Sequence, residues 1–129
     1  MEPSLATNRK QRKANELKAR VRATRKLFAA LYPNTFCGFG EPKKPLKIYI
    51  IDDIAKDLPE IPLWVLGATM RDYCKSPSYQ AAVAAGGPRY DLAGNPVGQV
   101  SEAHRAHAAA MLLRYPSEVV ERWRGRKAA

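Results

Sequence analysis

The sequence predicts a mainly α fold with a small β-hairpin (α+β), formed by one compact domain with basic terminal extensions. In several segments, apolar residues recur at three- and four-residue steps, which is typical of amphipathic helices. Ser-Pro and Pro-Ser pairs precede two of these segments, at positions where helices usually begin. Residues 86–100 are rich in glycine and proline between two such segments, which favours a hairpin. The 129 residues suffice for one modest core.

The charge is concentrated at the two ends of the chain. Residues 1–26 carry nine Lys/Arg and two Glu, and residues 121–129 carry four Lys/Arg and one Glu, whereas the 94 residues between them carry nine of each sign. The total formal charge of +10 therefore comes from the ends, +7 and +3. A basic chain of this kind favours a polyanionic partner. Basic ends on a neutral body indicate a specific docking site with electrostatic support.

The N-terminal third predicts an arm and a long helix. Residues 1–13 are polar and basic and are expected to form a disordered arm. Helical periodicity starts near Asn15, a possible N-cap, and Pro33 ends the helix. One face of this helix is apolar, with Leu17, Val21, Thr24, Phe28 and Leu31. A flank of the helix carries four cations without an interleaved acid, Lys18, Arg22, Arg25 and Lys26. Because these cations repel one another, they favour an anionic partner.

The central segments predict a core built from short elements. Phe36 and Phe39 are expected to anchor the loop after the first helix in the core. The apolar run 45–51 is expected to be extended and to lead into a helix. A further helix is predicted from Leu63 to about Lys75. Its apolar stripe is Leu66, Met70 and Tyr73.

Ser76 and Gly86 delimit the next predicted helix. Serine is a preferred N-cap, proline suits the first helical position, and glycine suits the C-terminal cap. In the hairpin that follows, alternation places Tyr90 and Leu92 on one face and Arg89 with Asp91 on the other. We expect the first pair to face the core and the second pair to face outward. Ser101 and Pro116-Ser117 are expected to begin the last two helices.

The sequence contains no recognisable catalytic or metal centre. The two histidines, His104 and His107, lack a third ligand with zinc-site spacing. Nucleophile-elbow, P-loop and dinucleotide-binding motifs are absent from the sequence. We therefore expect no enzyme, no metal and no cofactor. Cys37 and Cys74 do not form a CxxC pair, and no apolar run approaches the length of a membrane span. These features favour a cytoplasmic protein without a membrane partner.

Four motifs, in this order, resemble the ProQ/FinO family of bacterial RNA chaperones. They are PLKIYIIDDI, then Arg71-Asp72-Tyr73, then Ser76-Pro77-Ser78-Tyr79, then GGPRYDLAGNPVG. The family pattern has Leu-Phe-Pro near its start, Pro-Leu-Lys-Ile-x-Ile about fifteen residues later, and Gly-Ala-x-Arg-x-Asp-Leu-Asp-Gly-x-Pro after an aromatic helix. The resemblance covers residues 27–115. It gives domain boundaries of 1–13 for the arm, 14–120 for the RNA-binding domain and 121–129 for the basic extension.

The resemblance implies which residues bind RNA. Lys47, Tyr79 and Arg89 match the lysine, tyrosine and arginine of the family, and Arg71 matches a basic helix position. The chain departs from the family at Leu63 and Gly67, where relatives carry basic residues, at Ser78, where an arginine precedes the tyrosine, and at Ala93, which replaces an aspartate. Lys75 or the basic N-terminal helix is expected to compensate. The expected RNA-binding residues are Lys18, Arg22, Arg25, Lys26, Lys47, Arg71, Lys75, Ser76, Ser78, Tyr79 and Arg89.

The family implies binding of structured RNA, at the base of a terminator stem-loop and its single-stranded 3′ tail. We expect a monomeric RNA chaperone that stabilises small RNAs and promotes their pairing with mRNAs in post-transcriptional regulation. The free amides at the start of the Ser76 helix suit the 3′-terminal phosphate linkage. Two alternatives are a DNA-binding regulator and a ribosome-associated or protein-interaction adaptor. The alanine-rich and acidic helices disfavour the DNA-binding alternative.

Overall fold

The computed structural model describes residues 5–126, which form six helices and one two-stranded antiparallel sheet. The predicted mainly helical fold with a small hairpin is confirmed. Residues 1–4 of the predicted arm and residues 127–129 of the predicted C-terminal extension lie outside the described part of the chain. In chain order the elements are α1 (Leu5–Leu31), α2 (Ile50–Asp57), α3 (Leu63–Lys75), α4 (Pro77–Ala85), β1 (Pro88–Tyr90), β2 (Pro96–Gln99), α5 (Glu102–Leu112) and α6 (Ser117–Trp123).

Helix α1 begins earlier than the sequence pattern indicates. It starts at Leu5 rather than near Asn15, so residues 5–13 are helical and their predicted disorder is wrong. The side chains of residues 8–20 are all exposed, so this part of the helix gains nothing from burial. It is an extension of a helix that is already nucleated by packing, and elongation with Arg, Lys and Gln costs little. The 27-residue helix is therefore about 40 Å long.

The core lies where α1, the following loop, α3 and α4 meet. Phe36 packs between Phe28 and Tyr73, with ring centroids 5.1 and 5.0 Å away. The prediction that Phe36 anchors the loop in the core is confirmed, but the same prediction for Phe39 is wrong because that side chain is 59% exposed. Other buried apolar residues are Tyr32, Leu46, Ile50, Ile54, Leu58, Leu66, Tyr79, Val83, Val100 and Ala108.

The extended entry to α2 joins the hairpin. Leu46 forms a parallel bridge with Tyr90. The amide of Lys47 donates to the Tyr90 carbonyl at 2.8 Å, and the Tyr90 amide donates to the Pro45 carbonyl at 3.0 Å. The predicted extended segment leading into a helix is confirmed. The hairpin therefore lies beside residues 45–47.

The predicted helix caps are confirmed. The Ser76 hydroxyl accepts a hydrogen bond from the Tyr79 amide at 3.3 Å, and Gly86 closes α4 with φ 77°. The Ser101 hydroxyl accepts from the His104 amide at 3.1 Å. Each serine leaves the helix with extended backbone, as an N-cap requires. The capping residues therefore fix the starts of α4 and α5.

The hairpin pairs Pro88 with Gln99 and Tyr90 with Pro96, and the register shifts between the two pairs. Asp91 organises the turn, because its Oδ1 accepts from the amides of Ala93 and Asn95 at 3.0 and 2.9 Å. The expected pairing of Asp91 with Arg89 is therefore wrong. Gly94 has φ 87°, and a Cβ there would lie 2.6 Å from the Asn34 side chain, so the turn requires glycine.

No helix between residues 5 and 126 is both long and apolar enough to cross a bilayer. Cys37 and Cys74 are free thiols.

Candidate nucleic-acid interface

A basic groove runs between α1 and α3. Its volume is about 530 Å³, and five cations and one carboxylate line it. Residues four and seven apart on α1 share a helix face, and so do residues four apart on α3. The apolar floor is formed by Leu17, Val21, Phe39 and Ala68. The charged lining residues are Lys18, Arg22, Arg25, Arg71, Asp72 and Lys75. The groove thus brings together five of the cations expected to bind RNA.

Arg25 is the fixed cation of the groove. It is 8% exposed and its Nη1 donates to Asp72 Oδ2 at 3.0 Å. Its guanidinium lies 4.0 Å from the ring centroid of Phe39 and 5.2 Å from that of Tyr73. These contacts are favourable cation–π geometries. Asp72 neutralises Arg25, so the uncompensated charge of the groove belongs to its four other cations.

Arg71 and Lys75 are exposed on α3, one helical turn apart. Gly67 lies one turn before Arg71, and a Cβ at Gly67 would be 3.9 Å from Arg71 Nη1. The small residue therefore leaves room for the guanidinium along α3. At the end of the helix, the hydroxyl of Tyr115 donates to the Lys75 carbonyl. This contact ties the segment after α5 to the junction of α3 and α4.

The start of α4 adjoins the groove at Lys75. The Ser76 hydroxyl donates to the Tyr73 carbonyl at 2.8 Å and lies 3.2 Å from the Ser78 hydroxyl. Ser76 is half-buried, whereas Ser78 is 4% exposed. The first turn of the helix thus presents two hydroxyls and the partial positive charge of a helix N-terminus.

Lys43 reaches this turn and was not among the expected site residues. Its Nζ donates to the Ser78 hydroxyl and lies 4.9 Å from the ring centroid of Tyr73. Burial lowers the pKa of Lys43, and the nearby charge of Arg25 lowers it further. Lys43 and Ser78 are 35 residues apart, so no local spacing indicates their contact. The pair Lys43-Lys44 before Pro45 is the only signal in the sequence.

Tyr79 faces the interior. It is 8% exposed, its hydroxyl accepts from the Leu46 amide at 3.1 Å, and its ring centroid lies 6.0 Å from that of Tyr73. Burial is the main reason that the pKa of Tyr79 rises to about 12. The expectation that Tyr79 is available to pack on a ribose or base is wrong. Its side chain instead joins α4 to the segment before α2.

Arg89 is also buried, and its expected outward orientation is wrong. It is 8% exposed, Nη1 donates to the Leu46 carbonyl at 2.8 Å, and Nη2 lies 2.9 Å from His104 Nδ1. Because an arginine can only donate, His104 Nδ1 accepts this bond. Among the described residues, Arg89 Nε has no hydrogen-bond partner. Helix α5 covers the face of β1 that the alternation pattern assigned to solvent.

Two further predicted residues lie outside the groove. Lys47 is half-buried and pairs with Asp53 at 2.8 Å; this hydrogen bond is the main cause that raises the pKa of Lys47. Lys26 is exposed on α1 and does not line the groove. The residues from 5 to 126 contain no cluster of three or more potential metal ligands.

A family model describes this arrangement of elements. The model of the ProQ/FINO family matches residues 17–124. The chain belongs to the ProQ/FINO family. The match contains the basic groove, the start of α4 and the hairpin. It confirms the resemblance that the sequence motifs indicate.

Named relatives and solved structures agree with this assignment. The RNA chaperone ProQ of Aliivibrio fischeri (strain MJ11) is 39% identical over 97 residues, which cover 73% of this chain and 46% of that protein. The RNA chaperone ProQ of Shewanella oneidensis is 38% identical over 95 residues, covering 69% of this chain and 44% of that protein. The chain thus spans about half the length of the curated relatives it matches.

Two solved structures share the fold. A FinO-like RNA chaperone of Neisseria meningitidis MC58 superposes with a TM-score of 0.61 at 22% identity, covering 75% of this chain and 84% of that one. A ProQ homolog of Legionella pneumophila superposes with a TM-score of 0.63 at 23% identity, covering 85% and 88%. At these identities the likeness concerns the fold alone.

Proposed function

We propose that the chain is a cytoplasmic, monomeric RNA chaperone that binds structured small RNAs. Its ligand is the base of a terminator stem-loop with a single-stranded, uridine-rich 3′ tail. By holding this end, the protein stabilises small RNAs and promotes their pairing with mRNAs. The observation that carries the proposal is the groove between α1 and α3, where five cations and one carboxylate face one another.

The groove suits a phosphate backbone better than base edges. Lys18 and Arg22 stand one turn apart on α1, and Arg71 and Lys75 do so on α3. Two rows of cations on facing helices can contact two phosphate strands. RNA helices are recognised mostly through their shape, phosphates and 2′-hydroxyls, because side chains cannot enter the deep major groove. We therefore assign the stem to the groove.

The 3′ tail belongs at the start of α4 in this proposal. Lys75 lines the groove and directly precedes Ser76, so a strand that leaves the stem along α3 reaches the first turn of α4. Unpaired amides and the helix dipole favour a phosphate there. Ser76 and Ser78 supply hydroxyls at the same place. Tyr79 and Arg89 support this turn and the hairpin from the interior.

A competition assay separates the three candidate functions. Labelled hairpin RNA with a 3′ tail is bound to the full chain at physiological salt and is displaced with unlabelled RNA or duplex DNA. The proposal expects RNA to compete at concentrations at least about tenfold lower than DNA. Equal competition would favour the DNA-binding alternative. Absence of binding to either nucleic acid would favour the adaptor.

A further inference from the structure

The ammonium of Lys43 lies inside the protein beside the first turn of α4. Lys43 is 7% exposed and its polar contact is the hydroxyl of Ser78. Among the described residues, no carboxylate forms a salt bridge with Lys43. Asp72, whose charge acts on Lys43, is already paired with Arg25. The contacts of this ammonium are thus with neutral groups.

Such an arrangement costs stability. A buried charge without a counter-ion is unfavourable, and an apolar side chain of similar shape is often more stable in its place. Arg25 adds repulsion, and both effects lower the pKa of Lys43. Perturbed titratable groups next to a cleft are concentrated at functional sites. An anion supplied by a ligand accounts for a lysine that the fold itself does not neutralise.

The hydrogen bonds around Ser78 have a defined direction. An ammonium only donates, so the Ser78 oxygen accepts from Lys43. The Ser76 hydroxyl donates to the Tyr73 carbonyl at 2.8 Å, because a carbonyl only accepts. The hydroxyl proton of Ser78 is therefore directed to Ser76 Oγ, 3.2 Å away. An anion at the first turn of α4 can take this proton in place of Ser76.

We propose that Lys43 is a positioning residue for RNA, which acts through Ser78 to hold a phosphate of the 3′ end at the first turn of α4. Lys43 orients the Ser78 hydroxyl as a donor and neutralises the charge of the phosphate from behind it. Helix α4 adds its N-terminal partial charge. The inference rests on the proposed RNA-binding function and adds a residue to that site.

The test compares two neighbouring lysines in the full chain. Lys43→Met removes the buried charge. Lys44→Met is the matched control, because Lys44 donates to the Asn34 carbonyl at 2.9 Å and lies 5.1 Å from the ring centroid of Tyr90. Affinity is measured by fluorescence anisotropy with a labelled hairpin that carries a single-stranded 3′ tail, and Tm by circular dichroism.

Lys43→Met should weaken RNA binding about tenfold, the effect of one charge-assisted hydrogen bond. Its Tm should equal or exceed that of the wild type, because an unpaired buried charge is removed. Lys44→Met should change the affinity less than about twofold, in the range of an exposed charge. Because Lys43 acts through Ser78, the double variant Lys43→Met/Ser78→Ala should bind no more weakly than Lys43→Met alone.

Three results would overturn the inference. A Tm lowered by several degrees in Lys43→Met would make the lysine structural. Equal losses of affinity in Lys43→Met and Lys44→Met would make the effect one of net charge. A Lys43→Met variant that binds like the wild type would refute the role of Lys43 while leaving the proposed function intact. If the wild type itself does not bind the hairpin, the proposed function is wrong and this inference fails with it.

Discussion

Replacing Arg89 with methionine should destabilise the protein without removing a groove contact. The substitution keeps an unbranched chain but removes the donors to the Leu46 carbonyl and to His104 Nδ1. Hydrogen bonds from a charged group contribute about 1.5–3 kcal/mol each, and removing the unpaired Nε returns about 1–3 kcal/mol. The net loss is about 2 kcal/mol. For a domain of this size, that lowers Tm by about 6–10 °C.

The matched variant is Arg71→Met, which removes an exposed guanidinium from the groove. Its Tm should stay within about 2 °C of the wild type because surface substitutions rarely change stability by more than 0.5 kcal/mol. Its RNA affinity should fall about tenfold, the effect of one charge-assisted phosphate contact. Thermal unfolding by circular dichroism and anisotropy titrations at 20 °C measure both variants.

The two variants should therefore differ in opposite ways. Arg89→Met should lower Tm and keep its RNA affinity within about threefold, since at the titration temperature nearly all of a protein with several kcal/mol of stability remains folded. The reverse pattern, in which Arg89→Met keeps its Tm and loses tenfold in affinity, would show that Arg89 contacts RNA directly. It would refute the assignment of Arg89 to the interior.

Two further predictions concern the basic helix and the RNA end. Deleting residues 1–13 should lower the affinity for all RNAs alike and make the slope of log K against log salt shallower, by about 0.7 for each lost phosphate contact on a single strand; titrations at several salt concentrations measure it, and a loss of discrimination between RNAs at constant slope would contradict it. An RNA that ends in a 3′-phosphate should bind several-fold more weakly than one with a free 3′-hydroxyl, because the α4 start encloses the terminal linkage, and Ser76→Ala should reduce this difference. Tighter binding of the 3′-phosphate would indicate electrostatics alone.

The sequence predicts the helices and caps of this fold well, because their signals are local. Ser76 and Ser101 act as N-caps and Gly86 ends α4, as their residue types indicate. The spacing of Lys18, Arg22 and Arg25 places them along one groove for the same reason. The start of α1 was wrong because a polar segment that continues a packed helix does not need a core of its own.

The orientation of the hairpin depends on long-range packing and could not be predicted in this way. Alternation tells which residues of β1 share a face, but it does not tell which face another element covers. Helix α5 brings His104 to Arg89, so the arginine is buried. Lys43 reaches Ser78 from a loop 35 residues earlier. Phe39 is aromatic yet exposed, because its partner is the Arg25 guanidinium rather than the core.

The measurement that tests RNA-end binding most directly is a titration with two RNAs that differ only in the 3′ tail. One is a terminator-type hairpin with a single-stranded uridine tail, and the other is the same hairpin with a blunt end. With the stem in the groove and the tail at the start of α4, the tailed RNA should bind at least about tenfold more tightly at physiological salt, the effect of one further charge-assisted contact. Equal affinities for the two RNAs would contradict the account.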